Sequence, residues 1–429
     1  MIQGARTTLN FLHTGNPTGL KFVVEHGDAR CLFDFGREHA PGRALFSLGL
    51  EPRLGQEAAD LVSVGVAPNL PGVYRGDPWD GRTHLFISHL HLDHTGLIPY
   101  LGDHVPLYYP AAMEDLRRAA SDSGYLAWRR PPGTAVADRD EIAVEPIRVR
   151  FIAVDHDLPG ASGFLITTPE ATIAFTGDTR WHGFHPEVTA SFADEVRGAD
   201  VLIQEGVSLG SGPVDGALPP LSENELIAKL KRVIAAASGL VIVNLYGMNR
   251  ERVIGIGNAC AAAGRTLLME PQMGALAGWP GILGSVEEVR QKPRRFCLQL
   301  GFGSLPLLID LKPPPGSVYI HTGGAPMGAF DPAYAVLQAW LARFRLEYRL
   351  LTSSGHSRPD DIVRMVERVA PKVVLPVHSA APEALVLPGI PTFLPQAGVS
   401  YSVADLFSPA PSRSAPRAGR RRLGRSRPV

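Results

Sequence analysis

The chain has 429 residues, more than one ordinary domain of ~100–200 residues, so two units or one large α/β unit with an insertion are expected. Hydrophobic residues at 45% and charged residues at 20% match globular averages, which excludes collagen, coiled coil and wholesale disorder. The zero formal net charge is uneven: residues 411–429 carry seven arginines and no acid, and setting them aside leaves 35 basic against 42 acidic residues, a net −7. A basic nucleic-acid footprint must then be local or lie in the tail.

No run approaches the ~20 apolar residues of a membrane span, and Met1–Gly15 lacks the basic and apolar regions of a secretory leader. Cys31, Cys260 and Cys297 form no Cys-x-x-Cys pair. That excludes a disulfide framework and a cysteine zinc ribbon, and gives a cytoplasmic reading with no membrane partner.

In chain order, Phe22–Glu25 and Cys31–Phe35 are expected to pair as a hairpin. Leu85–Ser88, Val149–Val154, Gly163–Thr168, Thr172–Thr176 and Val201–Gln204 follow as strands, being apolar runs bounded by turn formers. Gly96–Leu101 is expected to be helical. Ser222–Ala237 has helical spacing, opened by a Ser222/Glu225 capping box. Gly239–Asn244 is a strand and Asn249–Gly264 a helix, an alternation that predicts a parallel-sheet module over about 208–350. Tyr348–Thr352, Pro359–Val369 and Val373–Val377 are expected to close the ordered chain as a strand–helix–strand unit. From about 408 the Pro, Ser, Arg, Ala and Gly composition cannot bury a core and predicts disorder.

The chemistry concentrates at His89-Leu90-His91-Leu92-Asp93-His94. Imidazole and carboxylate suit zinc, and a strand-to-helix loop can aim several side chains at one point. A regular strand would instead send His89 and His91 to one face and His94 to the other. Asp155-His156, Asp178 and His378 each follow an apolar strand, the end at which α/β proteins build sites. Together these residues supply about seven ligands, enough for two metals. Asp34, in Leu32-Phe33-Asp34-Phe35-Gly36, is a candidate for a carboxylate that orients a ligand histidine.

Two other motifs are weaker. Gly206-Val207-Ser208-Leu209-Gly210 has the spacing of a nucleophile elbow, but the Gly and Pro residues over 212–220 leave no helix behind it. Gly255-Ile256-Gly257 lacks the third glycine of a dinucleotide fingerprint, and packing is expected there.

His-x-His-x-Asp-His followed in order by His156, Asp178 and His378 resembles the metallo-β-lactamase superfamily, and Asp34 matches that family's first motif. Glu205, Ser353-Ser354-Gly355-His356-Ser357 and Val377-His378 are similar to the three further motifs of its β-CASP group, with His378 in the form seen in RNA-processing members. In layout the chain over about 1–405 resembles the bacterial ribonuclease J family without that family's C-terminal domain. Two stretches depart from the pattern. The family's Asn-x-His-Arg is Gly247-Met248-Asn249-Arg250 here, and Asp157 follows His156 where a small hydroxyl residue is usual.

The resemblance implies an αββα metallo-β-lactamase sandwich with an inserted parallel α/β β-CASP-like domain. Residues 1–207 and 351–407 would form the metallo-β-lactamase domain, 208–350 the insert and 408–429 an Arg-rich tail. It implies two Zn²⁺ ions, with Mn²⁺ or Mg²⁺ as alternatives. His89, His91 and His156 would hold one ion, Asp93, His94 and His378 the other, and Asp178 would bridge them. A metal-bridging hydroxide would hydrolyse single-stranded RNA and leave a 5′-phosphate. Asp93, His356 and Glu205 are the catalytic candidates, and Ser354, Gly355 and Ser357 the phosphate contacts. DNA remains a second substrate class, a small-molecule hydrolase of lactones, β-lactams or phosphodiesters is the alternative function, and a homodimer stays open.

Overall fold

The computed structural model describes residues 5–15, 18–42, 44–47, 49–128, 133–210 and 221–407. The Gly/Pro stretch over 212–220 and the Arg-rich tail over 408–429 lie outside the described residues.

The first sheet takes β1 (Thr7–His13), β2 (Lys21–His26), β3 (Ala29–Phe33), β4 (Thr83–Phe86), β5 (Leu107–Pro110) and β6 (Thr134–Val136) in that spatial order. The second takes β7 (Glu141–Val144), β8 (Ile147–Ala153), β9 (Ser162–Thr167), β10 (Thr172–Phe175) and β11 (Val201–Glu205). A third sheet of β12 (Val241–Leu245), β13 (Thr266–Leu268), β14 (Phe296–Gln299), β15 (Val318–Thr322) and β16 (Glu347–Leu350) is parallel throughout, in the order β13-β14-β12-β15-β16. The chain then returns. β17 (Val373–Val377) pairs in parallel with β11, and β18 (Val399–Ser402) closes the first sheet beside β1. The third sheet is therefore an insertion, lying wholly between two strands that are neighbours.

The two outer-chain sheets face each other because both alternate. β1 buries every second residue, and β8 does the same over its first five, so one apolar face of each is free to pack. Phe11, Phe22, Phe33 and Phe86 from the first sheet meet Phe151, Phe164 and Phe175 from the second in one buried cluster. Phe22 stacks on Phe33 at 4.9 Å and meets Phe175 edge-on at 5.0 Å. Helices Pro186–Glu195 and Pro359–Val369 cover the outer face of the second sheet. The result is a mixed α/β sandwich with an inserted α/β unit, whose own sheet is buried on both faces.

Several local readings hold. β2 and β3 form the antiparallel hairpin. Ser222 accepts from the Glu225 N–H while Glu225 accepts from the Ser222 N–H, the capping box that starts helix Glu223–Ala236. Gly257 and Gly255 serve packing: a Cβ at Gly257 would lie 2.1 Å from Trp279, and one at Gly255 2.6 Å from Ile227. The Ser208 hydroxyl donates to the Ser357 carbonyl at 2.6 Å, so it is tied to the backbone rather than presented as a nucleophile.

Two expectations are corrected. The helical turn in the histidine motif is Leu92–Thr95, followed by a 3₁₀ turn at Ile98–Tyr100, rather than one helix over Gly96–Leu101. The strands flanking Pro359–Val369 do not share a sheet: β16 pairs with β15 in the insert, and β17 with β11. Adjacency in sequence suggested a pairing that the insert's own free sheet edge takes instead.

Candidate dinuclear metal site

The site lies where β3, β4, β8, β10, β11 and β17 end. Asp34 follows β3, the histidine motif follows β4, His156 follows β8, Asp178 follows β10, Glu205 ends β11 and His378 follows β17. His91 is still extended and caps the turn Leu92–Thr95. That switch from strand-like to helical backbone swings His94 back toward His89, with ring centroids 4.0 Å apart. The close approach needs Gly36, where a Cβ would sit 1.5 Å from the Asp93 carbonyl oxygen. Asp34 and His378 both hold left-handed backbone, φ 55° and 51°, a conformation that costs a non-glycine residue ~1–3 kcal/mol. The His378 N–H donates to the Thr14 carbonyl at 2.8 Å, which helps keep it there.

Two groups of side chains converge. His91 Nδ1 lies 3.1 Å from both His89 Nε2 and His156 Nε2. His94 Nε2 and His378 Nε2 are 3.4 Å apart, and Asp93 Oδ2 is 3.3 Å from His378 and 3.6 Å from His94. One oxygen belongs to both groups: Asp178 Oδ2 is 3.5 Å from His89, 3.2 Å from His94 and 3.3 Å from His378. A tetrahedral ion with bonds of ~2.0–2.1 Å spaces its ligand atoms ~3.3 Å apart.

The outer nitrogens of His89, His94 and His156 are hydrogen-bonded, which sets their tautomers, and that of His91 faces a carboxylate. Ser88 donates from N and Oγ to Asp34, each at 2.8 Å, so its hydroxyl accepts from His89 Nδ1 at 2.9 Å. Asp34 Oδ2 holds His94 Nδ1 at 2.8 Å, and the Gly355 carbonyl accepts from His156 Nδ1 at 2.6 Å. Asp157 Oδ1 lies 3.2 Å from His91 Nε2. The inward nitrogens of His89, His91 and His156 are thereby left as lone pairs facing one another, which no hydrogen bond can satisfy. Both Asp178 oxygens are likewise buried without a hydrogen-bond partner. This donor set fits divalent cations, and His89, His91, His156 and Asp178 on one side and Asp93, His94 and His378 on the other could each hold one.

The electrostatics agree. Burial pushes the Asp178 carboxyl up, but His378, His94, His356 and His89 outweigh it and hold it well below the usual carboxylate range. Burial depresses His94, yet Asp178, Asp93 and Asp34 raise it to about 10.

Glu205 is the exception. Burial first, and Asp178 second, push it up to about 8, although its carboxylate accepts from Ser357 N at 2.9 Å and Val207 N at 3.1 Å. Between pH 4.5 and 8 the folded, metal-free chain therefore keeps a proton that the unfolded chain releases, so this group makes stability fall as pH rises. Glu205→Gln is expected to flatten that fall. Urea midpoints of the metal-free variant and parent, measured at the two ends of the window, check it; parallel pH profiles would refute it.

His356 projects from the segment 353–357 with its Nδ1 3.7 Å from both Asp178 Oδ2 and Glu205 Oε2, and it is 22% exposed. Ser354 Oγ accepts from the His356 N–H. Ser357 commits its N–H to Glu205 and its hydroxyl to the Thr179 carbonyl. His182 and His185 stay away from the cluster: His182 lies 3.9 Å from Asp361, and His185 pairs with Glu251 at 2.6 Å.

Asp157 was visible in the sequence only as a departure from the usual hydroxyl residue, and its place against His91 was not. Asp157→Ser is expected to weaken metal binding by about 10- to 100-fold. A chelator-competition titration measures this; an affinity within a factor of about two of the parent would separate Asp157 from ligand positioning. Tyr246, whose ring lies 5.6 Å from His91, carried no sequence motif.

Residues 49–230 match the family model of the metallo-beta-lactamase superfamily. The chain is 25% identical over 380 residues to ribonuclease J of Sinorhizobium meliloti, covering 77% of this chain and 65% of that protein. It is 26% identical over 226 residues to ribonuclease J of Corynebacterium glutamicum, covering 50% and 29%. The chain thus spans less than two thirds of the length of these relatives. A crystal structure of a protein of unknown function from Enterococcus faecalis V583 superposes with a TM-score of 0.78 at 28% identity, covering 92% of this chain and 100% of that one. Residues 49–230 are thus similar to the metallo-beta-lactamase superfamily, and the chain has ribonucleases J among its relatives.

Proposed function

We propose that the chain is a metal-dependent ribonuclease that hydrolyses single-stranded RNA and leaves a 5′-phosphate, with two Zn²⁺ ions as its cofactors. The observation that carries this reading is the single oxygen, Asp178 Oδ2, shared by two converging ligand groups with His356 beside it. Bound divalent ions would supply Lewis acidity to a phosphodiester and acidify a water.

The chain's own residues supply the rest. Asp34, Ser88, Asp157 and the Gly355 carbonyl hold the imidazoles in place. Asp93, whose side chain is 15% exposed, would orient the attacking water or hold its proton. Burial pushes His356 down to about 4, so at neutral pH it acts as a neutral N–H donor to the non-bridging phosphate oxygens. Ser354 and the Gly355 N–H are the candidates for a neighbouring phosphate.

A groove of about 1360 Å³ adjoins the ligand motif at Leu92, Thr95 and Gly96 and is lined by Tyr100, Tyr125 and Trp128. It contains none of the ligands themselves.

The test is cleavage of 5′-labelled single-stranded RNA and the matching DNA by metal-reconstituted protein, beside an Asp93→Ala/His94→Ala control. RNA cleavage lost in the control is expected. DNA cleavage alone would move the substrate to DNA, and cleavage of neither would refute a nuclease and turn the search to small esters.

A further inference from the structure

Glu223 opens the first helix of the insert and is fully buried. Two guanidiniums close on it. Arg180 Nη1 reaches Glu223 Oε1 at 2.7 Å. Arg252 straddles the carboxylate, with Nη2 at 2.6 Å and Nε at 3.0 Å. Asn249 Nδ2 adds a bond at 3.2 Å. Arg180 comes from the loop that carries Asp178, and Arg252 from the insert helix Arg250–Ala262. Neither is appreciably exposed. One buried carboxylate thus joins the insert to the sandwich.

The same guanidiniums reach the segment by which the chain leaves the insert. Arg252 Nη2 donates to the Ser353 carbonyl at 2.9 Å, and Arg180 Nη1 to the Ser354 carbonyl at 3.3 Å. The next three residues are Gly355, whose carbonyl orients His156, then His356, then Ser357 on Glu205. No member of the triad lies among the candidate ligands.

We propose that Glu223 is a positioning residue: through Arg180 and Arg252 it fixes the Ser353 and Ser354 carbonyls, and with them the placement of His356 over Asp178. This rests on the nuclease reading of His356. A buried carboxylate between two guanidiniums is tolerated only when its oxygens are fully hydrogen-bonded, and the two-pronged Arg252 contact admits one orientation. Such a network fixes geometry more than it adds stability.

A double-mutant cycle with Glu223→Gln and His356→Ala, read by steady-state cleavage of a single-stranded RNA oligonucleotide, tests it. Glu223→Gln is expected to lower kcat by about tenfold or more with KM within about threefold, the scale of a misplaced catalytic group. In the His356→Ala background it should cause little further loss. Hydrogen exchange supplies a readout apart from activity: the His356 and Ser357 amides should exchange faster in Glu223→Gln while β11 and β17 stay protected. Glu223→Gln leaves two buried cations facing a neutral amide; if it does not fold, Arg252→Lys, which keeps the charge and loses the fork, is expected to give the same pattern. Additive losses in the cycle, or unchanged exchange at 356 and 357 in a folded variant, overturn the proposal. Normal turnover in His356→Ala alone would instead overturn the reading beneath it, and the proposal with it.

Discussion

Replacing Asp178 by Asn is expected to lower RNA cleavage by at least ~10³-fold and to reduce the bound metal below two ions per chain. The reason is local. Asp178 Oδ2 lies within 3.5 Å of ligand nitrogens in both groups, so it is the one atom whose loss damages two sites together. Asparagine keeps the shape but loses the charge that four surrounding imidazoles balance, and it can turn an N–H₂ group toward nitrogens that must stay free. Metal content by elemental analysis and turnover on a labelled oligonucleotide check the two halves separately. Two tightly held ions with turnover near the parent's would remove Asp178 from its bridging role.

His356→Ala is expected to behave differently, with full metal content and kcat lowered by ~10²–10³-fold, the loss seen when one preorganised donor to a transition state is removed. Its Nδ1 stands 3.7 Å from the nearest carboxylate oxygens and is buried without a hydrogen-bond partner. It is thus near the ligand cluster without completing either three-nitrogen or mixed group of the two-ion reading. The contrast with Asp178→Asn is the informative part, since loss of metal in His356→Ala would make it a ligand, a grouping that Asp178, His356 and His378 also permit.

Much of the candidate site was legible because ligand types at fixed spacing are a strong pattern. His89, His91 and His94 were named from six residues read as a strand-to-helix loop, and the helical turn beginning at Leu92 is what brings His94 back beside His89. A six-residue window did not say that the helical turn starts inside the motif rather than after it. The ends of β8, β10 and β17 were read closely because β-branched and apolar runs stop abruptly at a polar residue. By contrast, β14 and β15 went unread, although Pro313-Pro314-Pro315-Gly316 and Gly323-Gly324 bracket β15 as turn markers. Arg180, Glu223 and Arg252 were equally silent. Their meaning lies in pairing across three distant segments, and an isolated Arg or Glu in sequence is indistinguishable from a solvated surface charge. The Asp157–His91 contact has the same character.

The return of the chain into the second sheet has a kinetic consequence. β17 pairs with β11 only after the entire third sheet has been traversed, so this contact closes a very long loop, and its closure entropy must be met before the pairing gives anything back. His378 rides on the end of that late strand. A chain emerging from the ribosome therefore holds every other candidate ligand well before this one can dock. The half-made sandwich would carry a ligand set that is one imidazole short until the insert has folded, which ties the competence of the site to the completion of the whole molecule.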